Sequence, residues 1–173
     1  AYAWEIEKMI SVDKESLDML QTKKGKIGEN EALLLLSLVS KTFYKTHKER
    51  IYNDYLSGEI DAYTGEHVYA ATLISDIKNA WDYPIFLKKL HKPIEIGNKE
   101  QVQGYMDITG AREGEIANTL INAPDEIIEE IRWRLTRKLG AATPESPEVL
   151  AEWPTWERSM KFDQIPMPQR VSK

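Results

Sequence analysis

The chain has 173 residues, enough for one domain or one domain with an extension, and carries 23 Lys and Arg against 28 Asp and Glu, for a net charge of −5. That balance excludes a protein whose affinity comes from blanketing phosphates, since such binding depends on neutralising charge and releasing counterions; a nucleic-acid partner would need a local basic patch. With no cysteine, disulfide scaffolds, thiolate metal sites and thiol nucleophiles are excluded as well.

Along the chain, Asp13 and Ser16 offer helix caps before Leu17, Met19 and Leu20, and a basic, glycine-punctuated stretch, QTKKGKIGEN, reads as a loop. Asn30 caps an expected long helix over residues 31–56, in which Leu36, Val39, Phe43, His47, Ile51 and Tyr55 recur at three- and four-residue steps and Gly58 supplies the stop. The longest apolar run, residues 32–36 with Leu38 and Val39, is too short to cross a bilayer. Thr64 precedes a second helical pattern, Val68, Ala71, Ile74, Ile77 and Trp81, which Pro84 ends. Residues 94–98 are a strand fragment or a turn and lead into two short helices around Gly110. Pro124 at a first turn, Asp125 and Glu126 beside it, and Arg134, Arg137 and Lys138 before Gly140 define a helix whose charges suit its dipole at both ends.

From Ala141 the texture changes, because five of the eight prolines lie there. Ser146 and Pro147 start a short helical piece through Trp153, with extended chain after it. The expected fold class is therefore mostly α: a helical bundle over residues 1–140 and an extended, Pro- and Trp-rich arm over residues 141–173.

Chemistry is not legible in the residue spacing. His47, His67 and His91 fall in neither the Glu-x-x-His nor the His-x-x-x-His pattern that puts two metal ligands on one helical face, and His47 reads as a core or edge residue. Gly25-Lys-Ile-Gly28 lacks the order of a phosphate loop. No spacing among the carboxylates marks a pair held for hydrolysis, so no catalytic, cofactor-binding or metal-ligating residue is assigned. Residues 101–121 have the size and the central Gly110 of a helix-turn-helix, although Glu113 and Glu115 would press acids against a DNA backbone.

The arm carries the one functional expectation. Ordering its backbone costs about 1 to 2 kcal/mol per residue, whereas each large apolar side chain returns roughly 1.5 to 3 kcal/mol when buried. Trp153, Trp156, Met160, Phe162, Ile165 and Met167 balance that cost only if nearly all are covered, which favours a second protein lying over the arm. Trp153, Pro154, Trp156, Glu157, Arg158 and Phe162 are the expected partner-binding residues, tryptophan and arginine being frequent interface anchors.

Three fragments in a fixed order add a resemblance. LLSLVSKTF (residues 35–43) resembles the L-x-x-L-Y-[ST]-K-x-L helix of the alpha-subcomplex subunit 5 family, an accessory subunit of mitochondrial NADH:ubiquinone oxidoreductase. GEIANTLINAPDEI (residues 114–127) is similar to its G-Q-[IV]-E-E-[VL]-I-x-x-A-x-[ND]-E-L helix, and WPTWE (residues 153–157) to its W-x-P-W-E. The resemblance implies a non-catalytic helical subunit of respiratory complex I, peripheral on the matrix side of the mitochondrial inner membrane. Its partners would be other protein subunits, with no nucleic acid, no small-molecule substrate and no cofactor. A missing initiator methionine fits either removal of that residue or cleavage of a targeting segment. The alternatives are a DNA-binding regulator acting through residues 99–139 and a phage or viral structural protein with an exchanged arm.

Overall fold

The first departure from a helical bundle comes at Lys41. In the computed structural model, which describes residues 14–162, helix α1 (Lys14–Ile27) turns at Gly28 into α2 (Glu29–Ser40), which stops where Lys41 adopts a left-handed conformation (φ 54°) and returns its N–H to the Ser37 carbonyl. The expected helix over residues 31–56 therefore ends less than halfway along. Beyond it Phe43 is exposed and Tyr44 buried, and Ile51 is buried and Tyr52 exposed, so neighbouring residues face opposite ways. That is a strand pattern, and β-branched and aromatic residues fit it. Lys45 bridges Tyr63 through two backbone hydrogen bonds of 2.8 and 2.9 Å, and β1 (Ile51–Tyr52) forms a small hairpin with β2 (Ser57–Gly58).

The main sheet has the order β3-β4-β5. Strand β3 (Ala62–Gly65) runs antiparallel to β4 (Ala71–Asn79), with the single 3-10 turn of Val68–Ala70 between them. The chain then crosses through α3 (Tyr83–His91) and α4 (Ile96–Thr109) and returns as β5 (Glu113–Thr119), parallel to β4. Two helices follow, α5 (Asp125–Lys138) and α6 (Pro147–Arg158).

Helices cover both faces of this sheet. On one, Leu36 of α2 packs with Tyr44, Ala62 and Ala117, flanked by Leu73 and Ile77. On the other, Ile74 packs with Ile108, Ala111 and the Tyr105 and Met106 side chains of α4. Gly114 lets α4 lie close on β5, since a Cβ there would collide with Val102 and Met106. The central strand is thus buried on both sides, which is why Val68, Ala71, Ile74 and Ile77 carry no clean alternation and mimic a helix in sequence. The mostly α fold class is corrected to a mixed α/β fold. The helix-turn-helix over residues 99–139 is corrected with it, because its expected second helix is strand β5.

At the C-terminal end, α6 runs through Pro154 to Arg158 instead of becoming extended after Trp153. Proline removes one helical hydrogen bond at that point, and burial of Val149 and Trp153 against Ile127, Ile131 and Leu135 of α5 outweighs it. Asp13, Ile165 and Met167 lie outside the described residues.

Candidate active site

Strand β4 reads Ile74-Ser-Asp-Ile-Lys78, and alternation along a strand puts Ile74, Asp76 and Lys78 on the side of α4 and Ser75 and Ile77 on the side of α2. Asp76 is 2 % exposed. Lys78 Nζ donates to Asp76 Oδ1 at 3.1 Å and lies 2.9 Å from Oδ2, so one ammonium ion-pairs with both carboxylate oxygens.

Asp61 immediately precedes β3, whose Ala62 pairs with Ser75, so the antiparallel register carries Asp61 alongside Asp76. Its Oδ2 accepts a 2.7 Å hydrogen bond from the Ile77 N–H. Burial raises the Asp61 pKa to about 6; the Asp76 and Glu29 charges add to the rise, while the Ile77 N–H and the Lys78 ammonium oppose it. Glu29 is the first residue of α2, and its charge bears on the site from that helix end.

From α4, Gln101 and Tyr105 reach the same place, being four residues apart on one helical face. Gln101 Oε1 accepts from Lys78 Nζ at 3.5 Å, and Gln101 Nε2 donates to the Tyr105 hydroxyl at 2.8 Å. The Tyr105 ring in turn rests against Gly58 of β2, where an added Cβ would strike the ring. Gly58→Ala is therefore expected to displace Tyr105, loosen Lys78 and cost about 1 to 3 kcal/mol of stability by overpacking. A urea titration followed by circular dichroism checks the loss of stability. On α3, Lys89 is a second cation within electrostatic reach of Lys78 and Asp76; burial, and then the Lys78 charge, lower its pKa. A further buried cation, Lys24, is taken up by structure: it donates to the carbonyls of Ala80 (3.0 Å) and Trp81 (2.9 Å), and burial brings its pKa down to about 8.

The residues expected to meet a partner lie at the other end of the chain. Trp153 is buried on α5 with the Arg132 guanidinium 5.5 Å over its ring. Trp156 is half-buried, Pro154 and Arg158 are exposed, and Glu157 pairs with Lys161 at 3.0 Å. Phe162 is buried with Ala80, Phe86 and Leu120, its N–H donating to Asn122. Of the histidines, His67 accepts from the Tyr69 N–H at the 3-10 turn, His47 is half-buried and His91 is exposed.

Asp61, Asp76, Lys78, Gln101 and Tyr105 were not assigned from the sequence. The available signal was short: an acid and a lysine two apart on a strand, preceded by another acid at the start of the strand's hairpin partner. It is invisible while residues 64–81 are taken as a helix, because a helix puts Asp76 and Lys78 on different faces.

No family model matches the sequence, and no curated protein matches it. Its structure is similar to that of a phage-related exonuclease from Haemophilus somnus 129PT, with a TM-score of 0.60 and 23 % identity over 88 % of this chain. The chain spans 59 % of that exonuclease's length. The fold is therefore the one seen in an exonuclease, and the reading as a non-catalytic accessory subunit of respiratory complex I does not stand. Its three fragments fall on α2, on β5 running into α5, and on α6, so the middle one is mostly strand and loop where that family has a helix. The mitochondrial, matrix-side placement rested on that resemblance and falls with it. Among the described residues no helix is long and apolar enough to cross a membrane. Of the earlier alternatives, a phage protein lies closer to the structural match than a DNA-binding regulator does.

Proposed function

We propose that this chain is a nuclease that hydrolyses phosphodiester bonds in DNA with the help of a divalent cation. The observation that carries the reading is the buried Asp76 carboxylate, ion-paired to Lys78 and set beside the Asp61 carboxyl; the exonuclease fold supports it.

The donor set fits a hard, oxygen-preferring ion. Among the described residues no group of three or more His, Asp or Glu side chains is placed to enclose a metal. Two carboxylates suffice for an ion such as Mg²⁺, which is usually held by one or two carboxylates and completes its shell with water and substrate phosphate. Asp61 and Asp76 would hold it. When bound, such an ion supplies the Lewis-acid charge that phosphodiester hydrolysis requires. It also settles an electrostatic conflict, since two bare carboxylates would repel a nucleic-acid backbone.

The remaining roles belong to the chain. Lys78 places its ammonium beside the carboxylates, where it binds a phosphate oxygen and stabilises the charge that grows there in the transition state. Gln101 fixes the Lys78 head, and the Tyr105 hydroxyl fixes Gln101. Asp61 must shed its proton to take part, so activity should rise with pH through about 6.

The test is incubation of the chain with end-labelled linear DNA, with Mg²⁺ or Mn²⁺ and with EDTA. Cation-dependent release of label supports the reading, and intact DNA under all conditions refutes it. An independent readout is thermal: saturating Mn²⁺ at pH 7.5, at about a hundred times its Kd, should stabilise the protein by about 2.7 kcal/mol. The rise in Tm should vanish in Asp76→Asn.

A further inference from the structure

The chain is acidic overall, but residues 41–52 hold Lys41, Lys45, Lys48 and Arg50 against Glu49 alone. This is the local basic patch that a polyanion partner requires, and it runs directly into a hairpin carrying two tyrosines in the open. Tyr52 is 69 % and Tyr55 is 90 % exposed.

Exposed rings on a mobile loop would mean little, but this hairpin is braced. Asn53 Oδ1 accepts from the N–H groups of Tyr55 (2.9 Å) and Leu56 (2.8 Å), and the Asn53 N–H returns to the Leu56 carbonyl. Its Nδ2 donates to Asp107 of α4 at 3.0 Å. Ile51 anchors the base in the core, and Arg50 Nε donates to Ser57 Oγ at 3.2 Å. Three acids lie close by: Asp107 is engaged with Asn53, Glu59 with Arg50 at 4.0 Å, and Asp54 stands exposed at the hairpin tip, its charge offset by that of Lys48. The hairpin leaves at Gly58, in contact with Tyr105, and three residues later the chain delivers Asp61.

We infer that the β1–β2 hairpin is a landing platform for an unpaired nucleic-acid strand, bases stacking on Tyr52 and Tyr55 and phosphates following Lys48 and Arg50 towards Asp61 and Asp76. The inference rests on the nuclease reading and adds the substrate's form: a single-stranded segment or a frayed end rather than an intact duplex. Tyrosine suits the task because its flat face accepts any base, and a rigid ring loses little entropy on contact.

Fluorescence anisotropy with a short labelled single-stranded oligonucleotide, in EDTA and at two salt concentrations, tests this without requiring turnover. Each base stacked on an aromatic ring is worth about 1 to 3 kcal/mol, so Tyr52→Ala and Tyr55→Ala should each weaken binding roughly tenfold. Tyr52→Phe and Tyr55→Phe should stay within about twofold of wild type, because the ring is kept. Lys48→Ala should flatten the salt dependence. The inference is overturned if wild type does not bind the strand, if the double alanine variant binds it as tightly as wild type, or if that variant changes only the mass in solution. Hydrolysis is scored separately with Asp76→Asn. Loss of binding in the alanine variants of a chain that never cleaves DNA would remove the nuclease reading and keep the platform, and cleavage indifferent to both tyrosines would do the reverse.

Discussion

Replacement of Asp76 by Asn is expected to reduce DNA hydrolysis by about 10³-fold or more while the protein stays folded. Removing one preorganised group that faces developing charge costs roughly 10² to 10³ in rate, and Asp76 is also one of only two carboxylates assigned to the cation. Folding should survive because the amide keeps the side chain's volume and its oxygen still accepts from Lys78. With the neighbouring charge gone, the Asp61 pKa should move back down towards an ordinary carboxylate. Hydrolysis rates, a melting curve and a pH titration of Asp61 by NMR separate these effects. A variant that cleaves within tenfold of wild type would show that Asp76 is not at the reacting centre.

Asp61→Asn should produce the opposite of the usual trade, a more stable and inactive protein. In the folded chain the carboxyl titrates near 6, against 3.8 ordinarily. The folded state therefore holds this proton more tightly than the unfolded state does. Below about pH 4 both forms are protonated and nothing is lost. As pH rises from about 4 to 6 the unfolded chain releases its proton first, and stability falls; above 6 the whole penalty is present. A difference of about two units corresponds to about 3 kcal/mol. In EDTA, Asp61→Asn should thus exceed wild type by up to about 3 kcal/mol at pH 7 and by far less at pH 4, keeping its acceptor for the Ile77 N–H. Divalent cation should narrow the gap, since only wild type gains from it. Urea unfolding at the two pH values is the check, and a gap that does not depend on pH would contradict the assignment of the penalty to this carboxyl.

Legibility in the sequence follows the physics of each element. The helix at Asp125–Lys138 could be read because its start, its amphipathic face and its charged ends agree. Residues 41–58 could not, since Val39, Phe43, His47, Ile51 and Tyr55 happen to recur at helical steps, while in the folded chain the helix stops at Lys41 and Val39, Phe43 and Tyr55 are exposed. Strand β4 fails for a different reason: a central strand packed on both faces has no polar side to betray its period. The active-site candidates were lost with it, as Asp76 and Lys78 become neighbours only when the segment is extended. At the C-terminal end the prolines suggested an open arm, but Trp153 and Val149 bury enough surface against α5 for the helix to absorb Pro154.

Helix α4 has a consequence of its own. It carries Gln101, which grips the Lys78 head, and Asp107, which grips the hairpin, with Tyr105 between them touching Gly58. On the proposed reading, capture of a strand and readiness of the cation site are linked through one stretch of this helix, residues 101–107. On that reading, no domain closure is needed for a tug at the tyrosines to be felt at the phosphate.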